Sequence, residues 1–271
     1  FANKLKKKFK QRFKFFHVKF SQIDQILDEE IDTIIFDLGV SSFQLKDLKR
    51  GFSFNSKDRL DMNMGLAGIS AEDVVNSLSE GHLTTIIKTF GEENEASKIA
   101  KNIVKARMQK KITKADDLVK IIENSKKKNF SKKINPSTKT FQALRIFVNK
   151  EVTELINGIV KATKILKPGG KILIVSFHSI EDKIVKYFFS TFSRNRSKPS
   201  RYLPDNQNSN IVLFEDYDKK TIKPTKWEIN KNKSSRSAKL RIATRGKNKF
   251  VFPEDLFQKF RKYLDLEAIN V

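Results

Sequence analysis

The 271-residue sequence contains no cysteine. Disulfides, thiolate nucleophiles and cysteine-ligated zinc are therefore excluded. Histidine is almost as scarce: His17, His82 and His178 are too scattered to form a metal-binding helix motif, and no metal is expected. The absence of cysteine suits a reducing compartment, and a cytoplasmic location is expected. No apolar run approaches the ~18 residues that a membrane-spanning helix needs, so no membrane partner is expected. The N-terminal stretch FANKLKKKFKQRFKFF alternates Phe with Lys. It lacks both the continuous apolar segment and the small-residue cleavage site of a signal peptide. None of the ten glycines makes a G-x-G turn between a strand and a helix, the arrangement that receives a nucleotide-like ligand. Acidic residues are the minority, 31 against 55 Lys and Arg, for a net charge of +24. Such an excess points to polyanionic partners, nucleic acid before an anionic membrane. The 23 Phe against one Trp, with abundant Lys and Asn, reads as compositional bias and carries no chemistry.

What is present falls into periodic segments. Residues 13–18 (FKFFHV) and 31–37 (IDTIIFD) predict short buried strands, and 46–66 a polar loop. Ser70 with Asp73 forms a helix start signal. Apolar residues then recur at helical spacing through Leu83, Ile86, Ile87 and Phe90, through Ala96 to Val104, and through Leu118 to Ile122. Residues 125–133 predict a basic linker. A long amphipathic helix is expected over 140–166, stopped by Lys167-Pro168-Gly169-Gly170. The strand KILIVSF follows at 171–177, then a helix capped by Ser179 through Asp182. Residues 190–235 predict a long loop, 236–245 a basic strand, and 254–267 a final amphipathic helix. The chain is α/β at both ends with an all-helical middle. The expected organisation is a discontinuous core of residues 1–58 and 134–271 around a helical insertion at 59–133.

Ligands of open α/β sheets bind beyond the carboxyl ends of the strands. Two such ends here carry polar groups. One holds Asp37, Ser41, Ser42 and Gln44; the other holds Ser176, His178, Ser179, Glu181 and Asp182. If the strands are neighbours, these groups share one crevice. Taken alone, Asp37 also fits a turn residue, and Ser179 and Asp182 a plain helix cap.

Three segments are unlike ordinary surface: DLGVSSFQL with RGFSF and LDMNM, then PSTKTFQALRIFVNKE, then PGGKILIVSFHSIED. Together with FGEENEASKIAKNI at 90–103 and NKSSRSAKLRIATR at 232–245, they resemble the signature blocks of bacterial cytosine-N4 methyltransferases that act on 16S ribosomal RNA. The blocks occur in the family's order from about residue 13 to residue 245. The resemblance implies a Rossmann-like class I methyltransferase sheet with an inserted all-helical domain. It also implies S-adenosyl-L-methionine as methyl donor, and 16S rRNA or the small ribosomal subunit as partner. By the same resemblance the donor-contacting residues map onto Phe20, Asp37 and Gln44.

The family's Gly-rich loop after its first strand, and the acidic residue after its second, have no counterpart here. Asn135 stands before Pro136 where the family usually has His. Residue 1 is Phe, so the sequence is expected to begin inside a longer product, after the family's first two strands. Residues 31–37 would then present an open sheet edge, and donor binding by this chain would be impaired.

The chemistry fits these residue types. A cytosine amine is a poor nucleophile because its lone pair is delocalised into the ring. It must be held against the donor methyl and given a proton acceptor. Asp37, His178 and Asp182 are the catalytic candidates. The target base must be unstacked or single-stranded. Arg236, Lys239, Arg241 and Arg245 are the candidate phosphate contacts, with Lys126, Lys127, Lys128, Lys132 and Lys133 as a second group. A non-catalytic RNA-binding module that has lost the donor loop is the alternative reading. A DNA amino-methyltransferase would share the chemistry but not the blocks.

Overall fold

The structure, a computed structural model, describes residues 2–27, 30–41, 43–44, 47–65, 68–126, 135–194 and 211–271. Among the described residues four strands form one sheet in the order β1-β2-β4-β3, with β1 Ile31–Asp37, β2 Leu166–Ser176, β3 Phe214–Tyr217 and β4 Lys239–Arg245. Strand β1 runs parallel to β2, while β4 is antiparallel to both β2 and β3. A parallel pair needs a long crossover, and here the crossover contains most of the helices. In β1, alternation buries Ile34 and Phe36 and leaves Ile35 67% exposed.

Among the described residues the helices are α1 Ala2–Phe9, α2 Ile23–Ile26, α3 Ala71–Ser77, α4 Glu80–Gly91, α5 Ala96–Gln109, α6 Ala115–Ser125, α7 Thr138–Asn149, α8 Glu151–Ile165, α9 Ser179–Phe192, α10 Lys226–Lys231 and α11 Glu254–Glu267. The expected start of α3 is a reciprocal cap: Ser70 Oγ accepts from the Asp73 amide, and the Asp73 carboxylate accepts from the Ser70 amide. Helix α4 packs on α7. Gly91 allows the close approach, because a Cβ there would lie 2.5 Å from the Lys139 carbonyl oxygen. The buried residues form one continuous core that runs from the sheet through α7 into α3–α6.

Four expectations change. Residues 13–18 form no strand: among the described residues no neighbouring strand takes their backbone groups, and Phe15 and Phe16 stand exposed. The single helix expected over 140–166 is two helices, broken at Lys150, whose φ of +50° is left-handed. Helical periodicity continues across the break, so the apolar pattern could not reveal it. Ser179 does not cap α9; His178 does, through its ring nitrogen. The 190–235 region is not simply a loop, since it contains β3, α10 and a 3-10 turn over Lys233–Ser237, although residues 195–210 lie outside the described set.

Candidate active site at two strand ends

Strands β1 and β2 finish side by side. Asp37 pairs in register with Val175, and the Leu38 amide donates to the Val175 carbonyl at 3.1 Å. Gly39 lies against the Phe177 ring. The two polar strand ends therefore open into one crevice, as the sequence required of neighbouring strands.

The floor of the crevice is charged and paired. Helix α9 begins two residues beyond Phe177, with His178 as its N-cap. His178 Nδ1 accepts from the Glu181 amide at 3.4 Å, and the Glu181 carboxylate accepts from the Phe177 amide at 2.8 Å. Burial alone would raise the Glu181 pKa. His178, the Phe177 amide and Arg145 outweigh it and hold the carboxyl below its ordinary value. Arg145, from α7, donates Nε and Nη2 to the two oxygens of Glu151 at 2.8 and 3.0 Å. Potential ligand atoms of Glu151, His178 and Glu181 lie within 4.8 Å of one another. They fit a metal poorly, because Arg145 engages both oxygens of Glu151 and Nδ1 of His178 is spent on the helix cap.

Above this floor lies an apolar wall. Phe20 stands edge-on to Phe36 at 5.5 Å between ring centroids. Its ring rests where a Cβ on residue 158 would come within 2.5 Å, so only glycine on α8 leaves it room. Phe20, Leu38, Gly39, Met64 and Leu155 enclose a small cavity together with Glu151, Glu154 and Glu181. A groove of about 680 Å³ continues from it, shared at Phe20, Met64, Asn149 and Glu154. That volume falls within the ~300–1,000 Å³ of small-molecule sites. The LDMNM block is pinned at its edge. Asn149 Nδ2 donates to the Met62 carbonyl at 2.8 Å and Oδ1 accepts from the Met64 amide at 2.8 Å, which holds Met62 at a φ of +58°.

Asp37 is exposed at the tip of β1. Gln44 exchanges bonds with Ser41: its side-chain oxygen accepts from the Ser41 amide at 2.9 Å, and its own amide donates to Ser41 Oγ. Ser42 lies outside the described residues. Asp182 binds Arg241 Nε at 2.7 Å and Lys239 Nζ at 2.9 Å. Burial would raise its pKa, but the two cations lower it below the ordinary value. A carboxylate held in that state takes up protons weakly.

Two of the candidate phosphate contacts are corrected. Residues 241, 243 and 245 share the inward face of β4, so Arg241 and Arg245 are buried. Arg241 is taken by Asp182, and Arg245 donates to the carbonyls of Leu213, Gly246 and Asn248. Arg236 is exposed and Lys239 half-buried. Lys126 also turns inward, to Glu93 and the Pro136 carbonyl. Lys127, Lys128, Lys132 and Lys133 lie outside the described residues. The residues not singled out from sequence are Arg145, Asn149 and Glu151. All three sit in the PSTKTFQALRIFVNKE block, where an arginine within an otherwise apolar helix face was the available signal.

Residues 1–246 match the MraW methylase family. The chain belongs to that family. Ribosomal RNA small subunit methyltransferase H of Bartonella bacilliformis is 44% identical over 234 residues, covering 86% of this chain and 70% of that protein. The protein of the same name from Ehrlichia ruminantium is 44% identical over 253 residues, covering 89% of this chain and 80% of its own length. The four-stranded mixed sheet with its helices is the Rossmann-like architecture expected of this methylase family. Among the described residues no helix is long and apolar enough to cross a membrane.

Proposed function

We propose that this chain methylates small-subunit ribosomal RNA using S-adenosyl-L-methionine, and that the acceptor is the exocyclic N4 of a cytidine. The family and the names of the relatives support the activity and the RNA class. The structural observation that carries the reading is the meeting of the β1 and β2 carboxyl ends, Asp37 beside Val175, at a cavity lined by Phe20.

The residues present fit the donor in part. Phe20, Leu38 and Leu155 supply an apolar wall, and Glu154, paired with Lys19 through one oxygen, brings a carboxylate to the same cavity, which suits a sulfonium. When bound, the donor supplies a methyl group activated by its positive sulfur. Asp37 accepts a hydrogen bond from the target amine and so localises its lone pair. Glu181 and Arg145 keep the floor rigid and charge-balanced. Asp182 positions Lys239 at the crevice mouth, and His178 fixes the start of α9. We assign Arg236 and Lys239 to the RNA backbone, and a cytoplasmic site of action follows from the substrate. No Gly-rich turn follows a strand in this sequence.

The deciding experiment expresses the gene's protein in a bacterium whose 16S rRNA lacks N4-methylcytidine. Mass spectrometry of the digested RNA should recover that nucleoside, and Asp37→Ala should abolish it. Methyl groups appearing only on another atom, or on none, would overturn the reading.

A further inference from the structure

The chain's single tryptophan, Trp227, is 67% exposed on α10. That helix buries no residue, so the indole makes no contribution to the core. Lys231 Nζ lies 4.1 Å from the ring centroid and covers one face of it. The exposure requires the other face to be open. Residues 219–239 carry eight Lys or Arg against one acidic residue, Glu228. Apart from Lys239, none of these cations forms an ion pair among the described residues.

The position of this segment is fixed. Ile222 and Leu240 exchange backbone hydrogen bonds at 3.0 and 2.9 Å, so residues 223–239 form an excursion whose two ends meet. Its end, Lys239, pairs in register with Ser176, the last residue of β2. The excursion thus springs from the end of the sheet where the candidate active site opens.

We propose that Trp227 is a nucleobase-stacking platform that receives a single-stranded segment of the substrate RNA, with Lys223, Lys226, Lys233 and Arg236 drawing in its phosphates. This rests on the rRNA-methylating activity proposed above and adds to it a binding residue and a strand conformation. Every base offers a π-face, so a flat open indole flanked by cations selects unpaired strands over duplex, whose bases are already stacked. Lysine over the far face leaves the aromatic ring oriented for this contact. Charge complementarity selects RNA over a protein partner: an excess of seven positive charges in 21 residues has no use for a neutral apolar surface.

Because Trp227 is the only tryptophan, its fluorescence reports the contact directly. The probe is a fluorescein-labelled single-stranded oligoribonucleotide copied from a 16S rRNA loop, with the same sequence in a duplex as control. On single-stranded RNA, indole quenching should saturate at the concentration that saturates the probe's anisotropy. Trp227→Ala should weaken binding roughly ten- to hundred-fold, the equivalent of losing one stacked base, with an unchanged salt slope. Trp227→Phe should retain most of the affinity. Since α10 buries nothing, both variants should melt as the parent does. Unquenched fluorescence with parental affinity in Trp227→Ala would remove the platform and leave the RNA-methylating reading intact. Failure of the parent to bind any RNA at low salt would remove both. Loss of binding to intact small subunits in Trp227→Ala, with RNA affinity unchanged, would assign the patch to a protein partner and overturn the proposal.

Discussion

Arg241 and Arg245 are buried and Arg145 is half-buried, whereas Lys223, Lys226, Lys233 and Arg236 stand in solvent. These three arginines each have a named acceptor: Glu151, Asp182, or three backbone carbonyls. The exposed cations have no ion-pair partner among the described residues. A buried charge must be compensated where it sits, because the interior offers no water to do so. A solvated charge can remain uncommitted until a polyanion arrives. The same residue types thus serve cohesion in one region and recognition in the other, and a high net charge alone does not say which.

If that contrast is right, the largest loss follows from Arg145→Met. It would leave Glu151 and Glu181 facing each other without their guanidinium. We expect about 3–5 kcal/mol lower stability in urea unfolding. A change below ~1 kcal/mol would mean that the crevice floor is wetter than its geometry implies.

Glu267 offers an intermediate effect. It reaches from α11 to the start of α8, which its own N-cap residue Lys150 leaves without a side-chain cap, accepting from the Val152 and Thr153 amides at 3.0 and 2.8 Å and from Thr153 Oγ1 at 2.6 Å. Glu267→Ala should cost about 1–3 kcal/mol by leaving buried donors unsatisfied. Burial pushes the Glu267 carboxyl up to about 7, against the hydrogen bonds that favour its charge. Its folded pKa lies above its ordinary 4.5, so the proton favours the folded state. That contribution is complete below pH 4.5 and is lost as pH rises through 7. Denaturation across that window should show the fall in the parent and a flatter profile in Glu267→Ala.

The smallest effect on stability belongs to the exposed group. Lys226→Gln should change unfolding by no more than ~0.5 kcal/mol, while lowering the salt slope of RNA binding by about one unit. A destabilisation comparable to that of Arg145→Met would erase the distinction between the two regions.

Elements that depend on local pattern were readable in the residues. The strand IDTIIFD, the helical spacing from Ser70 to Ser125 and the Ser70–Asp73 cap appear where expected, while the strand of KILIVSF starts earlier, at Leu166, and runs through the Lys167–Gly170 segment expected to be a stop. Phe20 and Asp37 were reached through the family resemblance; Asp37 lies at the end of β1 beside β2, and Phe20 lies on a 3-10 turn against Phe36. The misreadings share a cause. The break at Lys150 is made by Asn149 gripping the LDMNM segment, whose backbone lies 87 and 85 positions away, and by Glu267 capping α8 from 115 positions away. FKFFHV has strand composition but, among the described residues, no strand beside it.

The linear order of residues was thus sufficient for the family, the chemistry and the positive charge, because each is carried by short segments and by totals. Folding alone decided which arginines are spent inside, which carboxylate is too firmly paired to accept a proton, and where the lone indole points. Those outcomes depend on partners far away in sequence, whose distance and burial set the strength of every charge they meet.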